Sequence, residues 1–279
     1  MARDTYTIGA EMTVNRLGFG AMRITGEGIW GWPDDREQAK RLLRRVVELG
    51  VDLIDTADAY GPEISEYLIA DELHPYSNVV VATKGGLVRG GPGDWRTDGR
   101  PEHLELAVLN SLRRLEVDTI DLYQLHAIDD DVPLEESLGA LKEMQDAGKI
   151  RYIGVSNFTV SDLERAREVV DVVTVQNRYN LTDREHEPVV DYCTQNDIGF
   201  IPWYPLATGE LVDDSRLQDI ATKYQASPGQ LALAWLLERS PVMLPIPGTS
   251  SIAHLEENVA ARDIELSDED FETLSKLSG

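Results

Sequence analysis

Cysteine is nearly absent: Cys193 stands alone in 279 residues. No internal disulfide can form, so no covalent staple supports the fold. Cys193 falls in an apolar helical pattern with Val189, Val190 and Tyr192, where core packing is the simpler role. Lysine is also scarce, six residues against twenty arginines. No apolar run reaches the roughly 18–20 residues that span a bilayer, so no membrane partner is expected. The opening Met1-Ala2-Arg3-Asp4-Thr5 lacks the apolar core of a signal peptide, and a cytoplasmic enzyme is the expectation. No Gly-x-Gly-x-x-Gly follows the first strand-like run, which argues against a doubly wound dinucleotide fold. No linker or low-complexity stretch divides the chain, and one domain over residues 1–279 is expected.

Acid is abundant instead. Fifty acidic residues face 26 basic ones, for a net charge of −24. Nucleic acid repels such a surface and is not an expected partner. The acids are spread along the chain rather than clustered. An acidic, lysine-poor surface resembles that of proteins from salt-loving organisms, because salt screens the self-repulsion of the compact state. A halophilic setting is the expectation.

Thr5–Ile8 and Met12–Asn15 alternate apolar and polar around Gly9-Ala10 and predict a short hairpin. Eight strand-like runs follow: Leu17–Met22, Val51–Ile54, Val79–Ala82, Ile120–Leu125, Tyr152–Val155, Val172–Gln176, Phe200–Trp203 and Val242–Ile246. Helical patterns separate them, at Arg36–Leu49, Ile64–Leu73, Pro101–Leu115, Leu134–Ala147, Ser161–Val169, Pro188–Asn196, Pro228–Arg239 and Ile252–Ala260. Ser215–Tyr224 and Asp268–Leu277 are two extra helices. Ser161-Asp162-Leu163-Glu164 and Ser267-Asp268-Glu269-Asp270 resemble capping boxes, and Ser227-Pro228 marks another helix start. Gly50, Gly148 and Gly199 each sit between a helix and the next strand, where a left-handed residue is useful. Gly85-Gly86 and Gly90-Gly91 fall in a long loop. Eight strands alternating with eight helices is the arithmetic of a (β/α)8 TIM barrel in the α/β class.

Chemistry in such a barrel sits where strands end and βα loops begin. Asp55, Lys84 and His126 lie just past the second, third and fourth strand-like runs, and Tyr60 lies five residues after Asp55. Each has a plain structural reading. Asp55 could cap the next helix, Lys84 could be a surface lysine, Tyr60 a loop packing residue and His126 a satisfied core histidine. Their convergence on one rim points instead to a single acid–base site. A free tyrosine has a pKa near ~10, a poor proton shuttle at neutral pH. A neighbouring ammonium is expected to lower it, with Asp55 keeping the buried Lys84 charged. Tyr60 would then protonate a carbonyl oxygen as hydride reaches the carbon, with His126 donating a hydrogen bond to that oxygen.

Asp55-Thr56-Ala57-Asp58-Ala59-Tyr60-Gly61 resembles the first signature of the aldo-keto reductases. Ser111-Leu112-Arg113-Arg114-Leu115 through Asp118, Asp121-Leu122-Tyr123 and His126 is similar to the second. Gly154-Val155-Ser156-Asn157-Phe158 and Val175-Gln176-Asn177 resemble the segments after strands five and six. The resemblance implies that Asp55, Tyr60, Lys84 and His126 are the family's catalytic tetrad. It also implies a (β/α)8 barrel with an N-terminal hairpin and two extra helices, performing NAD(P)H-dependent carbonyl reduction.

By the same resemblance, Ser156, Asn157 and Gln176 hold the nicotinamide carboxamide and Trp203 stacks on its ring. Tyr204 and Leu206 lie along the pyrophosphate, and Gly20, Ala21 and Met22 approach the ribose and nicotinamide. Asp55 belongs to both the catalytic and the cofactor sets. Gly248, Thr249, Ser250, Ser251 and His254, at the start of the last barrel helix, would receive a phosphate, because free N–H groups and the helix dipole point there. The same stretch could simply be a loop and an N-cap. Glu257 and Asn258 resemble the adenine contacts. Much of the family carries a lysine and an arginine where this chain has Gly248 and His254. NADPH is favoured, NADH stays open, and a lysine introduced at Gly248 is expected to raise NADPH preference.

Trp30, Trp32 and Trp95 lie in long loops after strands one and three, and Arg23 near the end of strand one. They suggest a pocket for a flat or apolar small-molecule carbonyl substrate, with Arg23 meeting a polar substituent; loops stapled by aromatics are the alternative. Gly248-Thr249-Ser250-Ser251, the Trp203–Leu206 segment and the hairpin resemble bacterial oxidoreductases of the pyridoxal-reductase type, so pyridoxal and generic aldehydes or ketones are both candidates. A non-catalytic regulatory subunit resembling potassium-channel β-subunits is the rival, against which the short N-terminus counts. A monomer or weak oligomer is expected, and no metal ligands are assigned.

Overall fold

Proline decides how this barrel closes. The computed structural model describes residues 5–206 and 215–277; Met1-Ala2-Arg3-Asp4 lie outside them. Strands β1 (Thr5–Ile8) and β2 (Met12–Asn15) pair antiparallel as the expected hairpin. Next come β3 (Phe19–Gly20), β4 (Leu53–Asp55) and β5 (Val80–Gly85). A two-stranded excursion follows, β6 (Leu87–Gly91) with β7 (Asp94–Thr97). Strands β8 (Ile120–Leu125), β9 (Ile150–Ser156), β10 (Val172–Arg178) and β11 (Gly199–Trp203) complete the set. Seven of these form one parallel sheet in the order β11-β10-β9-β8-β5-β4-β3.

The eighth expected strand is a stave rather than a regular strand. Residues 242–247 lie between β11 and β3 and bond to both. Phe200 N–H donates to Val242 O and Leu244 N–H to Phe200 O, each at 2.8 Å. On the other side, Gly18 N–H donates to Pro245 O at 2.9 Å and Gly20 N–H to Pro247 O at 3.4 Å. Pro245 and Pro247 have no N–H to return, so the ladder towards β3 runs one way only. The sheet curls into a (β/α)8 barrel through carbonyl acceptors alone at that seam.

Helices α1 (Arg36–Glu48), α2 (Ile64–Leu73), α3 (Pro101–Leu115), α4 (Leu134–Asp146), α5 (Val160–Arg167) and α6 (Glu187–Asn196) follow successive barrel strands. Helix α7 (Ser215–Tyr224) is an addition before α8 (Pro228–Arg239). Helix α9 (Ile252–Ala260) follows the stave, and α10 (Asp268–Ser275) is the second addition. Several local expectations shift. The first strand shortens to Phe19–Gly20, because Ala21–Ile24 turns into a 3-10 helix. The capping box of α5 uses Thr159 with Asp162, not Ser161. Ser267 caps α10 by accepting from Asp270 N–H, but its own N–H goes to the Tyr224 hydroxyl, so the reciprocal half of that box is missing. Ser227 and Gln230 form the full box at α8. Gly50 and Gly148 have positive φ, whereas at the third junction Asp197 takes the left-handed turn and Gly199 opens β11. The Gly85–Gly91 stretch holds a hairpin strand where a loop was expected.

The hairpin β1–β2 buries Tyr6, Ile8, Met12 and Val14 across the end of the barrel where the strands begin. Tyr6 donates its hydroxyl to Asp197 O, just ahead of β11. Arg16 is buried beside it, and its guanidinium donates to the Met243, Leu237 and Ser240 carbonyls. That end is sealed, which leaves the strand C-termini as the open face.

A buried ion pair stands behind that face. Glu66 of α2 and Arg114 of α3 are both buried and joined by Nε–H donating to Oε2, while Thr83 of β5 donates to the other Glu66 oxygen at 2.6 Å. The pair ties two helices to the strand that carries Lys84. Arg114, which falls in the second signature, is therefore a structural clamp in this fold.

Candidate active site

Strand β4 ends at Asp55, β5 carries Lys84 one residue before its end, and β8 ends one residue before His126. Parallel pairing brings these ends to one level. Asp55 registers with Ala82, and Lys84 with Gln124. His126 N–H donates to Gly85 O at 2.9 Å, which extends the ladder one step to place the imidazole. Tyr60 hangs from a tight turn in which its N–H meets Ala57 O at 3.2 Å.

Lys84 is fully buried, and its ammonium has three acceptors. Nζ donates to Asp55 Oδ2 at 2.6 Å, to Thr56 O at 2.9 Å and to the Tyr60 hydroxyl at 3.2 Å. Asp55 in turn accepts at Oδ1 from Gln176 Nε2 at 2.7 Å and Gln124 Nε2 at 3.2 Å. The His126 ring stands edge-on to Tyr60 at 5.8 Å, and the Trp95 ring approaches it from another side at 6.4 Å. The four expected residues are one cluster.

Its electrostatics differ from the expectation at one point. Burial pushes the Tyr60 phenol above its ordinary pKa, and the Lys84 ammonium pulls it back only in part. The net shift is upward, not downward, because the hydroxyl has lost more hydration than one ammonium shared with Asp55 restores. Burial also works against the Lys84 charge, but Asp55 and Tyr60 outweigh it, so its pKa ends above the ordinary value. Burial, then the Lys84 charge, holds His126 well below its usual range, and the imidazole is neutral at physiological pH. Among the described residues its Nδ1 has no hydrogen-bond partner. The cluster thus presents a protonated phenol, a fixed cation behind it and a neutral imidazole beside it. Such a set can hand a proton to an oxygen and stabilise the charge that develops there.

Beyond the cluster, Asn157 links three strand ends. It sits in the left-handed region at the end of β9, donating through Nδ2 to His126 O at 3.0 Å and Ser156 Oγ at 3.1 Å. Its Oδ1 accepts from Trp203 Nε1 at 3.1 Å, which fixes the indole at the end of β11. Ser156 and Gln176 are buried below it. Tyr204 has positive φ and gives its carbonyl to Asn180, while Leu206 is partly buried against the core. Ala21 is buried and Met22 partly buried in the turn after Gly20.

The stave brings the start of α9 beside Gly20. Thr249 is buried, and its Oγ1 accepts from Ser251 N–H at 3.0 Å; Ser251 Oγ caps His254 N–H at 3.4 Å. Ser250, His254 and Glu257 are exposed on this rim and Asn258 is buried. Backbones approach closely here. A Cβ on Gly20 would lie 2.7 Å from Ile246 O, and one on Gly248 would lie 2.8 Å from Gly20 O. A lysine at Gly248 therefore needs β3 to shift, which removes the simple expectation attached to that substitution. The Cγ of Arg23 lies 3.6 Å from where that Cβ would be. Arg23 thus stands at the α9 side of the opening.

On the opposite side, Trp30 bridges to Gly61 next to Tyr60, and Trp95 of β7 meets Tyr60 directly. Trp32 stands apart, exposed and stacked under Arg36 at 3.8 Å. Gln124, the Thr56 carbonyl and Arg89 complete the surroundings of the cluster and were missed from sequence. Gln124 did carry a signal, a polar residue between Tyr123 and Leu125 of a buried strand, two positions before His126. Arg89 carried none.

The model of the aldo/keto reductase family matches residues 16–278. The chain belongs to that family. An uncharacterized oxidoreductase of Schizosaccharomyces pombe is 51% identical over 267 residues, 95% of this chain and 87% of that protein. Pyridoxine 4-dehydrogenase of Escherichia coli is 41% identical over 285 residues, 100% of this chain and 99% of that one. An aldo-keto reductase from Klebsiella pneumoniae in complex with NADPH superposes with a TM-score of 0.85 at 30% identity, over 99% of this chain and 95% of that one. This aldo-keto reductase is accordingly an oxidoreductase of the NAD(P)H-dependent, carbonyl-reducing class, and the regulatory-subunit alternative is not favoured. No helix among the described residues is long and apolar enough to cross a membrane.

Proposed function

We propose that this aldo-keto reductase reduces small aldehydes and ketones to alcohols with NADPH, and that Tyr60 is the proton donor. The carrying observation is the buried chain from Asp55 through Lys84 to Tyr60, at 2.6 and 3.2 Å, beside a neutral His126. The bound nicotinamide supplies the hydride. Tyr60 gives its proton to the carbonyl oxygen as negative charge grows there. Lys84 stabilises the phenolate left behind, and Asp55 keeps Lys84 charged in a buried place. His126, neutral, donates to the same oxygen and orients the carbonyl. The raised phenol pKa suits this direction, because Tyr60 stays protonated throughout the neutral range. Reduction should hold level through neutral pH and fall only in the alkaline range, while alcohol oxidation by the same site should rise with pH.

The residues fit the cofactor. Asn157 holds the Trp203 indole as a platform for a flat ring, with Ser156 and Gln176 beneath to orient a carboxamide. Gly20 and Gly248 let β3 pack closely against the segment that leads into the hydroxyl-lined start of α9, whose free N–H groups suit a phosphate. We assign Tyr204 and Leu206 to the pyrophosphate and Glu257 and Asn258 to the adenine. Arg23 stands where it can supply the cation that Gly248 lacks, and we assign it to the cofactor phosphates rather than to substrate. The Klebsiella relative solved with NADPH supports that cofactor. Replacing Arg23 with leucine should weaken NADPH binding by roughly 10–100-fold, the worth of one charge-assisted hydrogen bond. A dissociation constant within twofold of the wild type would sink the assignment.

Trp95 against Tyr60, with Trp30 bridged to Gly61, supports a substrate class. A flat aromatic aldehyde of the pyridoxal kind fits this wall, and the Escherichia coli relative named for pyridoxine supports it. The deciding experiment mixes purified protein with NADPH and a panel of aldehydes and follows the absorbance of the reduced cofactor. Cofactor binding without turnover of any carbonyl would refute the reading. We read the chain as one domain, a monomer or weak oligomer, acting in a salt-rich cytoplasm. The net charge of −24 supports the last point. The melting temperature should then rise between low and molar KCl, and a flat response would exclude a halophilic surface.

A further inference from the structure

Arg89 makes an unusual set of contacts for an arginine in so acidic a chain. On β6, it donates through one terminal nitrogen to Ile29 O at 3.1 Å and Ala59 O at 3.2 Å. Through the other it donates to Gly28 O at 3.2 Å and Gly91 O at 3.3 Å. All four acceptors are backbone carbonyls, and they come from three separate places: the turn after β3, the loop after β4, and its own hairpin. The guanidinium carbon lies over the Trp95 ring, 3.6 Å from its centroid, and 5.7 Å from the Trp30 centroid. Ala59 directly precedes Tyr60, and Trp95 touches the Tyr60 ring edge-on. Arg89 therefore reaches Tyr60 twice, through the backbone on one side and through an indole on the other.

We propose that Arg89 is a positioning residue that fixes the Trp95 wall at its angle beside Tyr60, whose hydroxyl Lys84 holds separately, and so sets a preference for aromatic over aliphatic aldehydes. The inference rests on the reductase reading above. Only a guanidinium can play this part. It carries donors in a fixed plane, and that plane leaves its face free to stack on an indole. A lysine keeps the charge but cannot reach four carbonyls and stack as well. Without the lock, the β6–β7 hairpin and the turn holding Trp30 lose their shared anchor, and Trp95 loses its fixed angle against Tyr60. A flat substrate depends on that wall, whereas a flexible alkyl chain adapts to a shifted one.

The test compares Arg89→Met, Arg89→Lys and Trp95→Leu with the wild type, using NADPH with benzaldehyde and with hexanal. In both Arg89 variants kcat/KM for benzaldehyde should fall by about 10–100-fold, while hexanal should change by less than about fivefold and NADPH affinity by less than about twofold. Trp95→Leu should narrow the same benzaldehyde-to-hexanal ratio. Combining Trp95→Leu with Arg89→Met should be no worse than the worse single change, because both break one device. An unchanged ratio, full rescue by lysine, or multiplying effects in the double variant would each overturn the proposal. Should the Arg89 variants fail to fold, Trp95→Leu decides alone, since an unchanged ratio there removes the wall on which the lock acts. Wild-type protein that binds NADPH and reduces neither aldehyde overturns the reductase reading, and this proposal with it.

Discussion

Tyr60→Phe should lower kcat for aldehyde reduction by roughly 10²–10⁴-fold, the usual worth of a positioned general acid. Phenylalanine keeps the ring, and with it the edge contacts to His126 at 5.8 Å and Trp95 at 6.4 Å. Only the hydroxyl is lost, together with its 3.2 Å hydrogen bond from Lys84. NADPH affinity should therefore stay within about twofold, because the cofactor site assigned above does not include that hydroxyl. Stopped-flow measurement of a single turnover separates the chemical step from cofactor release. A variant with kcat within tenfold of the wild type would mean that another group delivers the proton.

Lys84→Met should be costly in two independent ways. Methionine fills the stem volume but removes the charge between Asp55 and Tyr60. Tyr60 would lose the one nearby group that lowers its pKa, so its proton becomes harder to give up. A loss of roughly 10²–10³-fold in kcat is expected, as for removal of a preorganised electrostatic donor. The alkaline rise of alcohol oxidation should also move to higher pH, since burial now acts on the phenol unopposed. Meanwhile Asp55 would remain buried with only Gln176 and Gln124 as donors. An orphaned buried charge of this kind costs about 3–5 kcal/mol, readable by urea denaturation. In the wild type, the Lys84 and Tyr60 pKa values both lie above their unfolded values. Their stabilisation is complete below about pH 10 and is lost as pH rises beyond it. A Lys84→Met protein that is folded, active within tenfold and unchanged in its pH profile would remove Lys84 from the mechanism.

Much of the site was legible because the relevant signals are local. Asp55, Lys84 and His126 follow apolar runs of strand length, and parallel pairing makes strand ends neighbours. Once the alternation of strands and helices pointed to a barrel, their convergence followed. Hairpin β1–β2, the two extra helices and the Ser227 cap were readable for the same reason, each being settled by a few adjacent residues. Errors cluster where the deciding partner is far away in sequence. Pro245 and Pro247 were visible, but their effect on the seam depends on β3, more than 200 residues earlier. The Gly85–Gly91 stretch looked like a loop, and only its pairing across to Asp94–Thr97 makes it a hairpin.

The order of elements, the barrel class and the placing of Asp55, Tyr60, Lys84 and His126 on one rim belong to the sequence alone, since hydrophobic period and residue chemistry carry them. Tertiary structure alone decided three further matters. It set the sign of the Tyr60 shift, because desolvation is a sum over every neighbour and no local pattern contains it. It turned Gly248 from a missing lysine into a point of close backbone approach, and it placed Arg23 there. It gave Arg89 its place, because a guanidinium that joins three distant carbonyl-bearing segments is recognised only when those segments have been brought together.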